Sequence, residues 1–327
     1  MVSVIIPVFN RADTIQQTLN SLLSQTSQEW ECILVDDGST DHSERLIQKY
    51  IQSDNRFHFY KRPLDRTKGP SVCRNIGLNT AKGSFVVFLD SDDLLADFCI
   101  EERLKAFHAN PDLDFLVFDM KIFSDNLPLI EQIDLEERNQ ETWLNNFMIL
   151  AGSWQTTAPI YKTNYVKKIG GFAEEIMIFE DFEIAANALF NSDRYKVYSN
   201  VDYFYRNDES YFLKHVDLNY EKKVVDAFVK LIALYQQKII SKATEKSQIG
   251  TLKENILKSY NTIFERYIVM NVPVFKDDNY KIIKFLYAYN YIGIWKCFEY
   301  FIIQNVLFKL HKIKGLGLYR LIKYLMK

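Results

Sequence analysis

Cysteine is sparse and poorly spaced for bridging. Cys32, Cys73, Cys99 and Cys297 are the only four in the chain, and no two form a CxxC pair. That spacing excludes a disulfide framework and a structural zinc site, and it points to free thiols in a reducing compartment. Proline and glycine are also few, at 7 and 11 residues, which rules out a disordered or collagen-like chain. Each glycine is therefore expected at a turn or where backbone runs close to something else. No basic stretch or cleavage site accompanies the opening MVSVIIPVFN, so it reads as a first strand and not as a signal peptide. No GxGxxG follows that strand, which removes a nicotinamide-dependent dehydrogenase. The Gly-rich Lys/Arg phosphate loop of a nucleotidyltransferase is missing too, since PVFNRAD stands in its place. Internal repeats and low-complexity stretches are absent.

What the chain does have is core. Its 327 residues are 48% apolar and 25% charged, a mixture that suits one large domain or two. Aromatic side chains are abundant, with 24 Phe and 20 Tyr. The net charge of −2 hides an asymmetry: Lys276–Lys327 holds ten Lys/Arg against three acids, +7, which leaves −9 on the remainder. An acidic body with a basic, aromatic tail does not fit a nucleic-acid binder and fits a domain resting on an anionic surface.

Periodicity organises the first hundred residues. Apolar runs at Val2–Val8, Cys32–Val35, Phe57–Tyr60 and Phe85–Leu89 predict strands. Helix-period segments at Asp13–Ser24, Ser43–Ile51 and Ser71–Ala81 separate them. Strands apolar throughout, joined by helical crossovers, predict a parallel sheet covered on both faces, with its ligands along the edge where the strands end. Farther on, a helix is expected at Glu101–His108, strands at Phe115–Phe118, Ala158–Tyr161, Tyr195–Ser199 and Tyr203–Tyr205, and a helix at Phe182–Phe190. Ser124–Asn139 reads as loop. Thr163 is expected to cap a helix that runs to Ile169 and stops at Gly170–Gly171. From about Tyr220 the pattern is helical, giving a domain of residues 1–215 and a helical region of residues 216–327.

Three acidic clusters fall at element ends: Asp36-Asp37-Gly38-Ser39-Thr40-Asp41, Asp90-Ser91-Asp92-Asp93 and Glu180-Asp181-Phe182-Glu183. Acids such as Asp41 and Glu183 read as helix caps. Three carboxylates within four residues at the mouth of a parallel sheet repel one another unless a cation is present, and hard oxygens suit Mg²⁺ or Mn²⁺ shared with substrate phosphates.

These segments together, VSVIIPVFNRADTIQQTLNSLLSQT, ECILVDDGSTD, GPSVCRNIGLNTAKGSFVVFLDSDD and GGFAEEIMIFEDFEIAANALF, resemble glycosyltransferase family 2, inverting enzymes that use nucleotide-sugar donors, here of the bacterial surface-polysaccharide type. The resemblance covers roughly residues 1–206. It implies an α/β fold of the GT-A type, with a mixed, mainly parallel sheet flanked by helices and a C-terminal helical extension. By the same resemblance Pro7, Phe9, Asp37, Arg74 and Asp90 bind the donor, with Phe9 on a uracil ring, Asp37 accepting its N3–H, and Arg74 at phosphate or base edge. Asp36 is expected to be structural. Asp92, with Asp90, would hold Mn²⁺ or Mg²⁺. Asp181 is the expected base that takes the acceptor's proton, with Glu180 as the alternate. The expected donor is UDP-linked, and the acceptor a glycan or lipid-linked oligosaccharide. A catalytically weak nucleotide-sugar-binding protein and a nucleotidyltransferase on a related fold are the competing readings. Many family members carry a His near Asn207; this chain has Asn there and His215 beyond it, which leaves a third metal ligand open. Trp154 reads equally as a sugar platform or a core plug. Lys68 and Gly69 read as a basic loop near the donor, and His42, His58, His108 and His311 as surface or core residues.

Tyr287–Leu310 is apolar and aromatic but interrupted by Lys296 and Glu299, too broken for a membrane span of about 20 residues. Phe308–Lys327 mixes leucines with lysines in the manner of an interfacial helix on anionic lipid. The expected location is therefore cytoplasmic, peripheral on the inner face of the cell membrane.

Overall fold

The computed structural model describes residues 1–124, 127–132, 140–152, 154–207, 218–242, 246–268 and 272–303. They fall into two compact units, Met1–Phe147 with Gly152–Leu213, and Met148–Ala151 with Lys214–Lys327.

The first unit is built on one mixed sheet. Its strands are β1 (Val2–Val8), β2 (Trp30–Asp36), β3 (Phe57–Lys61), β4 (Phe85–Phe88), β5 (Leu94–Leu95), β6 (Phe115–Ser124), β7 (Leu127–Gln132), β8 (Pro159–Lys162) and β9 (Tyr195–Arg206). They lie in the order β3-β2-β1-β4-β8-β6-β9-β5, with β7 paired to β6. β3, β2, β1 and β4 run parallel, as the all-apolar runs require: Val4, Ile5, Ile6, Leu34 and Val35 are inaccessible to solvent because helices cover both faces. The sheet then departs from a purely parallel one. β8 enters antiparallel between β4 and β6, and β5 pairs antiparallel with β9.

The helices of this unit are α1 (Ile15–Leu23), α2 (Ser43–Ser53), α3 (Pro70–Thr80), α4 (Cys99–Ala109), α5 (Gln140–Met148), α6 (Thr163–Lys168) and α7 (Glu180–Asn191). Gly77 lets α3 lie hard against β1, since a Cβ there would overlap the Ile5 side chain. Three expectations need correction. Tyr195–Ser199 and Tyr203–Tyr205 are one strand, because pairing with β6 passes from Tyr198 to Val201 and leaves Ser199 and Asn200 as a bulge that breaks the alternation. Within Ser124–Asn139, residues Leu127–Gln132 form strand β7, while 125–126 and 133–139 lie outside the described residues. Thr163 does not cap α6; it is the first helical residue, and its hydroxyl donates to the Gly83 carbonyl at 2.7 Å. The helix does stop at Gly170–Gly171, both at positive φ.

The second unit contains α8 (Leu218–Lys242), α9 (Lys246–Ile263) continuing as a π-helical turn (Phe264–Ile268), α10 (Val272–Ala288) and α11 (Ile294–Ile302). Phe228, Tyr260, Phe264, Phe275 and Tyr300 fill its interior, so part of the aromatic excess is core. The buried hydroxyls are matched: Tyr260 donates to Asn279 at 2.7 Å and Tyr300 to Asn261 at 2.6 Å. Among the described residues no helix is long and apolar enough to cross a membrane. Phe308–Lys327, His311 and His215 lie outside the described residues.

Candidate active site

Parallel strands deliver their C-terminal ends to one edge, and the first two acidic clusters begin there. Val8 accepts the Asp37 amide at 2.8 Å, and Ile5 accepts the Leu89 amide at 2.9 Å, so the loops after β1, β2 and β4 are joined at their roots. Asp36 is structural as expected: its carboxylate accepts the Gly38 and Ser39 amides at 3.0 and 3.1 Å and shapes the turn. Asp41 accepts the Ser43 amide at the start of α2 and the Ala12 amide of the facing loop, at 2.9 and 3.0 Å. Those bonds hold its carboxyl below the usual carboxylate range, against a raising contribution from burial. Glu183 is not an end cap. It is buried in the first turn of α7 and accepts the Ala173 amide at 3.2 Å.

Pro7 is half-buried within β1, beside Val35 of β2. Phe9, just beyond, is 40% exposed, and Lys68 lies over its ring with Nζ 3.5 Å from the centroid. Asp37 is buried and accepts a hydrogen bond from Arg62 Nε. Arg62 has no counterpart in the sequence expectations; it follows β3 directly and its amide bonds the Asp36 carbonyl at 2.9 Å.

Arg74 is the hub. It sits in the first turns of α3, buried to 3% exposure, and its Nη2 donates to Asp90 at 2.6 Å while Nη1 lies 3.5 Å from Glu180. The sheet edge after β4 and the start of α7 thus meet at one guanidinium. Burial works against its charge, yet Asp90, Glu180 and Asp181 together keep it firmly protonated. Phe179, immediately before the acid pair, adopts φ +71°, a left-handed conformation uncommon for a bulky residue. Backbone strain of this kind costs of order 1–3 kcal/mol and persists where the surroundings over-determine it. α7 then begins at Glu180, earlier than its apolar periodicity indicates, because both acids occupy its first turn.

Glu180 is half-buried, and burial followed by the neighbouring Asp181 charge pushes its carboxyl up to about 7 despite the opposing Arg74. Asp181 is also raised, chiefly by burial, with Arg74 opposing. Its Oδ1 accepts the Thr156 hydroxyl at 2.8 Å, which orients the carboxylate.

On the other side of the hub, Asp92 lies 3.4 Å from Arg11 and is raised, first by burial. Asp93 is buried and bound by the Arg206 amide at 3.0 Å and the Thr157 hydroxyl at 3.2 Å, so it is a strut of the turn. Arg206 Nε also donates to the Asp92 carbonyl at 2.8 Å. The Thr157 carbonyl in turn accepts Arg103 at 3.0 Å, and Arg103 forms a buried two-bond pair with Asp202 at 2.6 and 2.7 Å. None of these supporting partners stands out in the sequence, because each pairs residues far apart in the chain.

A divalent ion fits this donor set in part. Asp90 and Asp92 offer hard oxygens, and the Asp92 carboxyl is raised first by burial, with Arg11 opposing and Asp90 adding to the rise. No group of three or more His, Cys, Asp or Glu side chains suited to a metal occurs among the described residues. Trp154 packs against Trp143 and Phe147, with ring centroids 4.9 and 4.7 Å away, and is buried, so it is a core residue. All four cysteines are free, as expected.

Comparison with known proteins agrees with this architecture. Residues 3–159 match the family model described as glycosyl transferase family 2. A glycosyltransferase of Haemophilus influenzae is 41% identical over 105 residues, 32% of this chain and 41% of that protein. The poly(ribitol-phosphate) beta-N-acetylglucosaminyltransferase TarS of Staphylococcus aureus is 32% identical over 209 residues, 62% of this chain and 35% of that protein. The chain thus spans well under half the length of these curated relatives. The crystal structure of S. aureus TarS 1–349 in complex with UDP-GlcNAc has the same fold, with a TM-score of 0.69 at 22% identity over 99% of this chain and 90% of that one.

Proposed function

The chain belongs to glycosyltransferase family 2 through residues 3–159, and on that premise we propose that it transfers a sugar from a UDP-linked donor to a hydroxyl of a glycan or lipid-linked acceptor. The observation that carries this reading is Arg74, whose single buried guanidinium reaches both Asp90 and Glu180. Donor-side and acceptor-side carboxylates therefore border one site, which a displacement at an anomeric carbon requires. S. aureus TarS has been crystallised with UDP-GlcNAc, and a structure of the mannosyltransferase PcManGT of Pyrobaculum calidifontis, which shares the fold at a TM-score of 0.52, is in complex with GDP-Man and Mn²⁺.

In this reading Phe9 stacks on the base, Asp37 accepts the base N–H, Pro7 lines the pocket, and Arg74 binds the diphosphate. Asp92 and Asp90 would hold a divalent ion, which would supply Lewis-acid neutralisation of the departing nucleotide. Asp181, oriented by Thr156, takes the proton of the acceptor hydroxyl as that oxygen bonds to the anomeric carbon and the bond to the diphosphate breaks. One displacement inverts the centre. Glu180 is the alternate base.

The test measures nucleotide-sugar binding by thermal shift with Mn²⁺, together with transfer or hydrolysis. D92N should lose metal-dependent donor binding, whereas D181N should bind and not turn over. Near-normal transfer by D181N overturns the base assignment, and absence of any stabilisation of the wild type by nucleotide sugars with Mn²⁺ overturns the reading as a whole.

A further inference from the structure

α11 wears its polarity inside out. Its inward side carries Tyr300, fully buried and bonded to Asn261. Its outward side presents Ile294, Trp295, Phe298 and Phe301, between 53% and 80% exposed. At 100° per residue these four share one face, where a helix on a globular protein normally turns polar side chains to water. α10 packs against α11 and adds exposed Tyr280 and Tyr287 beside exposed Lys276, Lys281 and Lys284, with Asp277 and Asp278 among them and Lys281 paired to Asp278 at 3.4 Å. Apolar rings bordered by lysine are the composition of a surface that lies in a lipid headgroup layer.

Charge selects the occupant. The sequence that follows α11 directly, residues 304–327, contains six Lys/Arg and no acid. Two copies with so basic a C-terminal sequence would set like charge against like, which opposes their pairing. An anionic bilayer offers the complement to both halves, a headgroup charge for the lysines and an acyl boundary for the rings. We infer that α11, with the exposed edge of α10, docks in the plane of an anionic membrane through Ile294, Trp295 and Phe298. This goes beyond the transfer reaction and would bring the enzyme to the surface where a lipid-linked acceptor resides.

The protein contains its own probe. Of its four tryptophans, Trp30, Trp143 and Trp154 are buried and only Trp295 is exposed, so a shift in emission on lipid binding reports α11. The full chain is mixed with vesicles of phosphatidylcholine alone or with phosphatidylglycerol added, and co-sedimentation and emission are followed. Wild type should bind the phosphatidylglycerol vesicles, weaken with added salt, and move its emission to the blue. W295S/F298S should bind at least roughly tenfold more weakly, with the thermal midpoint and UDP binding unchanged. F298S alone keeps the fluorophore and should show a smaller blue shift. Vesicle binding by W295S/F298S equal to wild type overturns the inference, as does binding that leaves the emission in place. A lipid-free dimer that W295S/F298S converts to monomer, without vesicle binding, assigns the face to a second copy and also overturns it. Loss of nucleotide binding by the wild type would sink the transferase reading and leave this one standing.

Discussion

The ammonium of Lys68 rests 3.5 Å from the centre of the Phe9 ring, on the side chain proposed to stack with the donor base. A cation over an exposed aromatic face contributes about 0.5–1 kcal/mol, and a stacked base must compete with it. K68A should therefore tighten binding of uridine, which has no phosphate for the lysine to regain, by roughly two- to fivefold. F9A should weaken uridine and UDP alike by about 1–3 kcal/mol, the usual worth of a base on an aromatic ring. Calorimetric titration of both ligands checks this. Uridine binding indifferent to F9A would remove Phe9 from the base site.

Glu180 predicts the acid limb of the pH profile. Burial and the charge of Asp181 push it to about 7, so the acid pair retains a proton below that pH and is less able to accept another. Transfer measured as kcat/KM should rise with pH through about 7 and flatten above. E180Q should abolish or move that limb. R74M, which removes the opposing guanidinium, should shift it to higher pH along with its loss of donor affinity. Stability follows the same group with opposite benefit. A carboxyl whose folded pKa lies above its unfolded value stabilises the fold at low pH and loses that contribution as pH rises through about 7. E180Q should accordingly be the more stable protein at pH 8, by about 1 kcal/mol after discounting solvent and the Arg74 pair.

Much of this site could be read before the fold was known, and the reason is local. β1, β2 and β3 are built on largely apolar runs, and each ends within a residue of its expected position. The acidic clusters are contiguous, so their place at element ends follows from the strands. What escaped detection was either weak or distant. β5 has two residues, and β7, with Pro128 inside it, pairs among the described residues with β6 alone. Arg62 reaches Asp37 across 25 positions, and Arg103 reaches Asp202 across 99; no periodicity encodes such a partner. Trp154 was undecided because an indole suits a core and a sugar equally, and only its neighbours Trp143 and Phe147 settle the matter.

Gly77 sets the depth of Arg74. A methyl group there would overlap Ile5 of β1, so α3 must move outward and carry its arginine with it. G77A should destabilise the protein by about 1–3 kcal/mol through overpacking. It should also weaken UDP binding, although neither residue touches the ligand in the proposed pose. G77A/I5A supplies room for the methyl group, and the two changes should cost less together than their separate costs added. Urea unfolding and UDP titration of the three variants decide it; simple additivity would mean that α3 absorbs the methyl group without moving.

Arg103 and Asp202 form a charged pair with almost no solvent access, 0% and 1% exposed at the side chain, beneath the turn that carries Asp90 and Asp92. Arg103 also satisfies the Thr157 carbonyl, and Thr157 holds Asp93. Removing one partner leaves the other charged and buried, so R103M or D202N alone should cost about 3–5 kcal/mol. R103M/D202N leaves no orphan charge and should recover much of that loss. The recovered double variant should still bind UDP with Mn²⁺ less tightly than wild type, because Thr157 has lost the donor that fixes its position under Asp93. Urea unfolding gives the first comparison and metal-dependent UDP titration the second. A double variant that matches wild type in binding would show that the pair supports the fold alone and does not hold the aspartate turn in place.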